Sequence, residues 1–203
     1  ICYRPIDNRK RNNSYYYINW KVSNYMSTLS VDTIQGQTAA ANVKLPAGTI
    51  LQTQTFQGYN GDGTHSTMSV SSTTYGATAA AVSITPKYSS SKVLVTFHAQ
   101  GFYQEGVVAN AVKLALYKSV AGGSFSGVSG LNSGQVSRHI GYMNHANSTT
   151  LHQASFQHLD SPATTSALIY KIYLARLNSS SGYGRILANP DDSFSITAME
   201  ISQ

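Results

Sequence analysis

The sequence predicts an all-β protein, an antiparallel sandwich or jelly roll of about ten strands, and three observations carry that expectation. The first lies in residues 82–104, VSITPKYSSSKVLVTFHAQGFYQ, where two patterned segments flank a turn. Val93, Val95, Phe97 and Ala99 alternate with Lys92, Thr96, His98 and Gln100, Leu94 being the exception. Period-two alternation bounded by turn residues marks a half-buried strand. The second is composition: only 11% of residues are charged, and Ser, Thr, Gln, Asn and Gly fill the polar positions. That balance suits open sheet faces better than surface helices, which carry Glu, Lys and Arg. The third is the short, regular spacing of turn residues after Gly48.

Residues 1–25 do not share this pattern. They hold the single cysteine Cys2, the single Trp20, the Tyr15–Tyr17 run and a basic cluster with no period. They read as a non-conforming extension, disordered or not native, with Met26 as the start of the body; a basic arm that binds nucleic acid or a neighbouring subunit is the alternative. Residues 26–48 read as a connecting, docking arm closed by Pro46-Ala47-Gly48. Residues 49–203 form the β-sandwich module.

Within the module, Thr49–Tyr59 is polar on both faces and reads as an edge strand. Asn60-Gly61-Asp62-Gly63 is a strong turn signal. Strands are expected near His65–Ser72, Ala77–Thr85, Lys92–Tyr103 and Ala111–Ser119, the second ending ahead of Pro86 because proline forces its predecessor into an extended conformation. Residues 119–134 are rich in Gly and Ser and read as a long exposed loop. Gln135–Asn144 and Thr149–Asp160 read as a hairpin around residues 145–148. Ala167–Leu177, whose spacing also fits a helix, reads as a buried strand because of its Ile and Tyr content. Arg185–Ala188 and Phe194–Ser202 complete the set, with a turn at residues 189–192.

Charge and cysteine usage exclude some functions. The net charge of +6 divides into +4 over residues 1–25 and +2 over the rest, so the body has no basic stripe to track phosphates and no nucleic-acid partner is expected. No apolar run reaches the roughly 18 residues of a membrane span, so no membrane insertion is expected. One cysteine permits no intrachain disulfide, which places stability in packing or chain association and favours assembly in a reducing compartment.

Several stretches together resemble a recurring type of tailed-phage protein, known as tail-fibre or virion structural proteins and common in marine phages. They are MSTLSVDTIQ, VKLPAGTILQ, SITPKYSSSKVLV, HLDSPATTSALIYKIYLA and FSITAMEISQ. The resemblance covers nearly all of residues 26–203 and none of residues 1–25. It implies a jelly-roll-like module of tumour-necrosis-factor-like architecture, homotrimeric, made in the bacterial host cytoplasm and located in the virion, with residues 26–48 joining other virion proteins. The role it implies is a tail-fibre component contacting a host surface glycan or another fibre segment. A capsid decoration or head fibre is the alternative, and a secreted tumour-necrosis-factor-like trimeric ligand is a third.

No catalytic motif is present. The body holds seven carboxylates (Asp32, Asp62, Glu105, Asp160, Asp191, Asp192 and Glu200), and turn or capping roles account for Asp160, Asp191 and Asp192. No GxSxG elbow occurs, so no enzyme is expected. His139, His145, His152 and His158 cluster late, with His152 and His158 on one face of an unbroken strand, but no HxH or HExxH spacing accompanies them. No metal and no cofactor is expected. For a binding site the loops 60–64, 121–134 and 179–185 are the candidates, with Tyr59, Phe125, Tyr183 and Arg185 offering stacking on sugar faces or hydrogen bonds.

Overall fold

The alternation at residues 92–100 becomes the central strand of one of two facing antiparallel sheets. The computed structural model describes residues 45–59, 68–106, 110–131, 135–143, 150–177, 182–187 and 191–203. The chain separates into two compact units, Ile1–Gln35 and Gly36–Gln203, and every described residue belongs to the second. The turn expected at residues 60–63 lies outside the described residues.

The first sheet is built from β1 (Ile50–Tyr59), β2 (Met68–Val70), β4 (Lys92–Gly106), β8 (Thr150–Asp160), β10 (Gly182–Ile186) and β11 (Ser193–Ile201). β8 runs along one edge of β4, while β11 and then β10 share the other, because Val93 pairs with both Asp160 and Glu200. β1 closes the far side on β11, which makes it the edge strand its polar sequence predicts. The second sheet holds β3 (Gly76–Ile84), β5 (Asn110–Val120), β6 (Ser126–Gly127), β7 (Gln135–Met143) and β9 (Leu168–Arg176).

The eight long strands therefore lie in the orders β1-β11-β4-β8 and β3-β9-β5-β7. Consecutive long strands change sheet at every step except β5 to β7, which is the winding of a jelly roll. Two expectations are corrected by this. Residues 135–160 are not a hairpin: β7 bonds to β5 and β8 bonds to β4, in opposite sheets. Two alternating segments around a short connection look the same in sequence whether that connection stays within a sheet or crosses the sandwich. Residues 121–131 are not a free loop either. Ala121 and Gly122 both take positive φ, 51° and 74°, and Gly123 N–H donates to Val120 O at 2.9 Å, closing a tight turn. The chain then returns along β5 through β6, and Val128 enters the core at 1% exposure.

The core is made by the inward rows of both sheets. Val93, Val95, Phe97 and Ala99 are all buried, as are Leu168, Tyr170, Ile172 and Leu174 in β9, so the helix-compatible segment is a strand. Across strands Ala99 lies between Phe194 and Ala154, and Phe97 between Ile196 and Phe156. The Phe97 and Phe156 rings meet at 5.6 Å. Each such side chain contributes about 1.5–3 kcal/mol by leaving water, an upper estimate because the unfolded chain is itself partly collapsed.

Candidate functional site: the polar interior and the outer faces

Two carboxylates lie inside the sandwich, and both are absorbed by structure. Asp160, at the end of β8, is not a turn-capping residue; it sits in the inward row with its side chain fully buried. Its Oδ2 accepts from Lys118 Nζ at 2.7 Å and from the Tyr170 hydroxyl at 2.8 Å, both from the opposite sheet. Burial is the main reason the Tyr170 phenol is held far above its ordinary pKa; the neighbouring Asp160 charge and the hydrogen bond it accepts add to this. Glu200, fully buried in β11, accepts from Lys87 N–H at 2.7 Å, Tyr88 N–H at 3.3 Å and Gln52 Nε2 at 2.7 Å. It satisfies the turn that carries the chain from β3 in one sheet to β4 in the other.

The outer face of the first sheet is divided. Its middle rows are polar, such as Thr55, Thr197, Thr96 and Gln157, with the two threonine hydroxyls 3.0 Å apart. Towards the N-terminal end of β4 the rows turn apolar. Met199, Leu94 and Leu159 lie side by side across three strands, and Ile50 lies beside Ile201. Leu159 is 46% exposed and Ile50 is 55% exposed.

The outer face of the second sheet is aromatic and basic. Tyr117 on β5 and Tyr173 on β9 are diagonal neighbours, since Ala115 pairs with Tyr173 and Tyr117 pairs with Lys171. Their rings stack at 4.2 Å and 20°. Tyr75 leans on Tyr117 at 6.2 Å, and Phe125, brought over by the turn after β5, leans on Tyr173 at 6.1 Å. Lys113 Nζ lies 5.1 Å from the Tyr75 ring centre, and Lys171 Nζ lies 5.1 Å from that of Phe125. Ala115 points to this face yet is fully buried, beneath the rings. Lost hydration, and secondarily the Tyr117 phenol beside it, raises the pKa of Tyr173.

The four sequence-predicted site residues do not come together. Phe125 belongs to the aromatic row on the second sheet, half-buried by its packing. Tyr59 ends β1 on the first sheet and is 46% exposed, beside an open hollow lined by His98 and Phe194. Tyr183 and Arg185 belong to β10, paired with β4, so residues 182–185 are strand and not loop. Arg185 is half-buried, and the Tyr183 side chain lies outside the description. Sequence reasoning passed over Tyr75, Tyr117 and Tyr173. The available signal was KLALYK and YKIYLAR, where Lys113, Tyr117, Lys171 and Tyr173 alternate with core residues and so face outward.

Among the described residues no group of three or more His, Cys, Asp or Glu side chains could hold a metal ion, and no helix is long and apolar enough to cross a membrane. His158 sits in the inward row of β8, and the side chains of His139, His145 and His152 lie outside the description.

No protein-family model and no curated protein matches the chain. Similar solved structures include a chain from the structure of infectious bursal disease virus, Gt strain, at 11% identity and a TM-score of 0.32, over 78% of this chain and 37% of that one. Another is from the Gx strain of the same virus, at 10% identity and a TM-score of 0.31, over 76% and 38%. This chain thus spans well under half the length of the chains it matches. At these scores the likeness carries no argument about function.

Proposed function

We propose that the chain is a non-enzymatic virion structural protein, a homotrimeric jelly-roll module of a phage tail fibre that meets a host surface glycan or a further fibre segment. The observation that carries this reading is the apolar patch of Leu94, Met199, Leu159, Ile50 and Ile201 on the outer face of the first sheet. Large apolar side chains grouped on an otherwise threonine- and serine-rich sheet face mark a surface that another molecule covers. The occupant we assign is a second copy of this chain: the row beside the patch, Thr55, Thr197, Thr96 and Gln157, is uncharged and meets its own kind without charge repulsion, and Lys92, beside Ile201, lies at the opposite end of the patch. The resemblance of residues 26–203 to tailed-phage fibre and virion proteins gives the assembly its setting, with residues 26–48 as the attachment to other virion proteins. The burial of Asp160 and Glu200 in interior networks supports a structural role, since neither is free to act as an acid or base in a cleft.

Light scattering on the full chain tests the assembly. The mass expected is that of a trimer, and Leu94→Asp, which sets three charges into that surface, should return it to a monomer. A monomeric wild-type chain sinks the reading.

A further inference from the structure

We infer that the outer face of the second sheet is a binding surface for an acidic polysaccharide, held by Lys113 and Lys171 at either end of the Tyr75–Tyr117–Tyr173–Phe125 row. The inference rests on the proposed surface-contacting role only for the source of that polysaccharide; the chemistry is read from the face itself.

The first argument is charge. The strands of the second sheet contain five basic residues (Lys113, Lys118, Arg138, Lys171 and Arg176) and no Asp or Glu. The connecting residues 71–75, 121–131 and 161–167 add no acid. Lys118 points inward and is answered by Asp160. Lys113 and Lys171 point outward; Lys113 donates to Thr73 O at 3.3 Å, and among the described residues neither meets a carboxylate. A face with cations and no anions selects an anionic ligand.

The second argument is ring orientation. A neutral sugar stacks on an open aromatic face, but here those faces are taken. Tyr117 and Tyr173 cover one another, Tyr75 and Phe125 flank them, and the ammonium groups of Lys113 and Lys171 lie over the outer two rings. Solvent meets ring edges and the partly exposed Tyr117 and Tyr173, while the Tyr75 hydroxyl is buried. The edge is the positive part of the ring quadrupole and a phenol is a hydrogen-bond donor, so the rings add to the preference for anions. The earlier expectation of sugar stacking on Phe125 is therefore replaced by edge, hydroxyl and ammonium contacts.

A polysaccharide fits better than a nucleic acid. Two outward lysines neutralise too few phosphates to hold a duplex, while the Tyr117 and Tyr173 hydroxyls between them match a chain dense in hydroxyls with intermittent carboxylates or sulfates. The row is also preformed, so binding need not order its side chains.

The test is titration of the full chain with polygalacturonate and with heparin, beside neutral dextran and duplex DNA. Polygalacturonate or heparin should bind with an affinity that falls as salt rises, and dextran should not bind. Lys113→Glu with Lys171→Glu should weaken that binding by about tenfold or more. Lys113→Met with Lys171→Met, which keeps the side-chain stems over the rings, should weaken it as well while leaving the melting temperature in place. Failure of both polyanions to bind, equal binding of dextran, tighter binding of DNA, or lysine variants that bind like wild type would each overturn the inference. A trimer that binds neither polyanion loses this inference and keeps the assembly reading; a monomer that binds them does the reverse.

Discussion

The two sheets share a strand pattern but divide the charges between them. The first carries Glu105, Asp160 and Glu200 against Lys92 and Arg185; the second carries bases alone. Asp160 and Glu200 are both buried, so the near-neutral net charge of the body counts anions that its outer surfaces do not show. Total charge weighs only the sum, whereas recognition depends on which face each charge occupies. An ion pair joins the sheets, Lys118 with Asp160, and turns its charges inward, where they fix how the layers meet. Lys113 and Lys171 of the second sheet turn outward and, among the described residues, meet a carbonyl and aromatic rings and no carboxylate.

That contrast can be broken most sharply at Asp160. Asp160→Ala leaves Lys118 in the interior with no carboxylate and Tyr170 with no acceptor, and should cost about 3–5 kcal/mol in chemical denaturation. Replacing both partners with apolar residues of similar volume, Asp160→Leu with Lys118→Met, should recover most of that loss. Glu200→Ala comes next. It strips the acceptor from the Lys87 and Tyr88 amides and the Gln52 amide, at about 2–3 kcal/mol by the same measurement.

Alkaline pH gives a smaller and continuous effect. The Tyr170 phenol has a higher pKa folded than unfolded, so the folded state keeps a proton that the unfolded state gives up. Its contribution is complete below the ordinary tyrosine value of about 10 and declines as pH climbs above it. Stability measured between neutral and strongly alkaline pH should fall steeply in wild type and less steeply in Tyr170→Phe. The smallest effect is expected on the outer face of the second sheet. Lys113→Glu with Lys171→Glu should shift stability by no more than about 0.5 kcal/mol. A loss as large as that of Asp160→Ala would make the outer row a structural brace and erase the difference between the sheets.

Much of the fold was legible in the sequence, and the reasons follow from particular residues. The row Val93, Val95, Phe97 and Ala99 is buried as its alternation requires, and β1, β3, β5, β9 and β11 lie within a residue or so of their expected bounds. Strand identity is local information. Strand pairing is not, and so the segments at 135–160 looked like a hairpin until the winding placed them in different sheets. Asp160 was misread for the same reason. Beside Ser161-Pro162 it resembles a turn residue, and nothing nearby in sequence announces that Lys118 and Tyr170 converge on it from the other layer. Phe125 was chosen for its loop, yet its neighbours Tyr75 and Tyr173 come from strands far apart in the chain.

Glu200 carries one more consequence, for the order of events while the protein is being made. The carboxylate that satisfies the turn at residues 87–88 lies 112 and 113 residues downstream, and β1 finds its hydrogen-bond partner only in β11. A ribosome delivers the early strands long before their partners exist. Until β11 emerges, the amides of that turn and the inner edge of β1 stay exposed, and the sandwich cannot close. Emergence of β11, not synthesis of the central strand, is then the step that commits this sandwich to its fold.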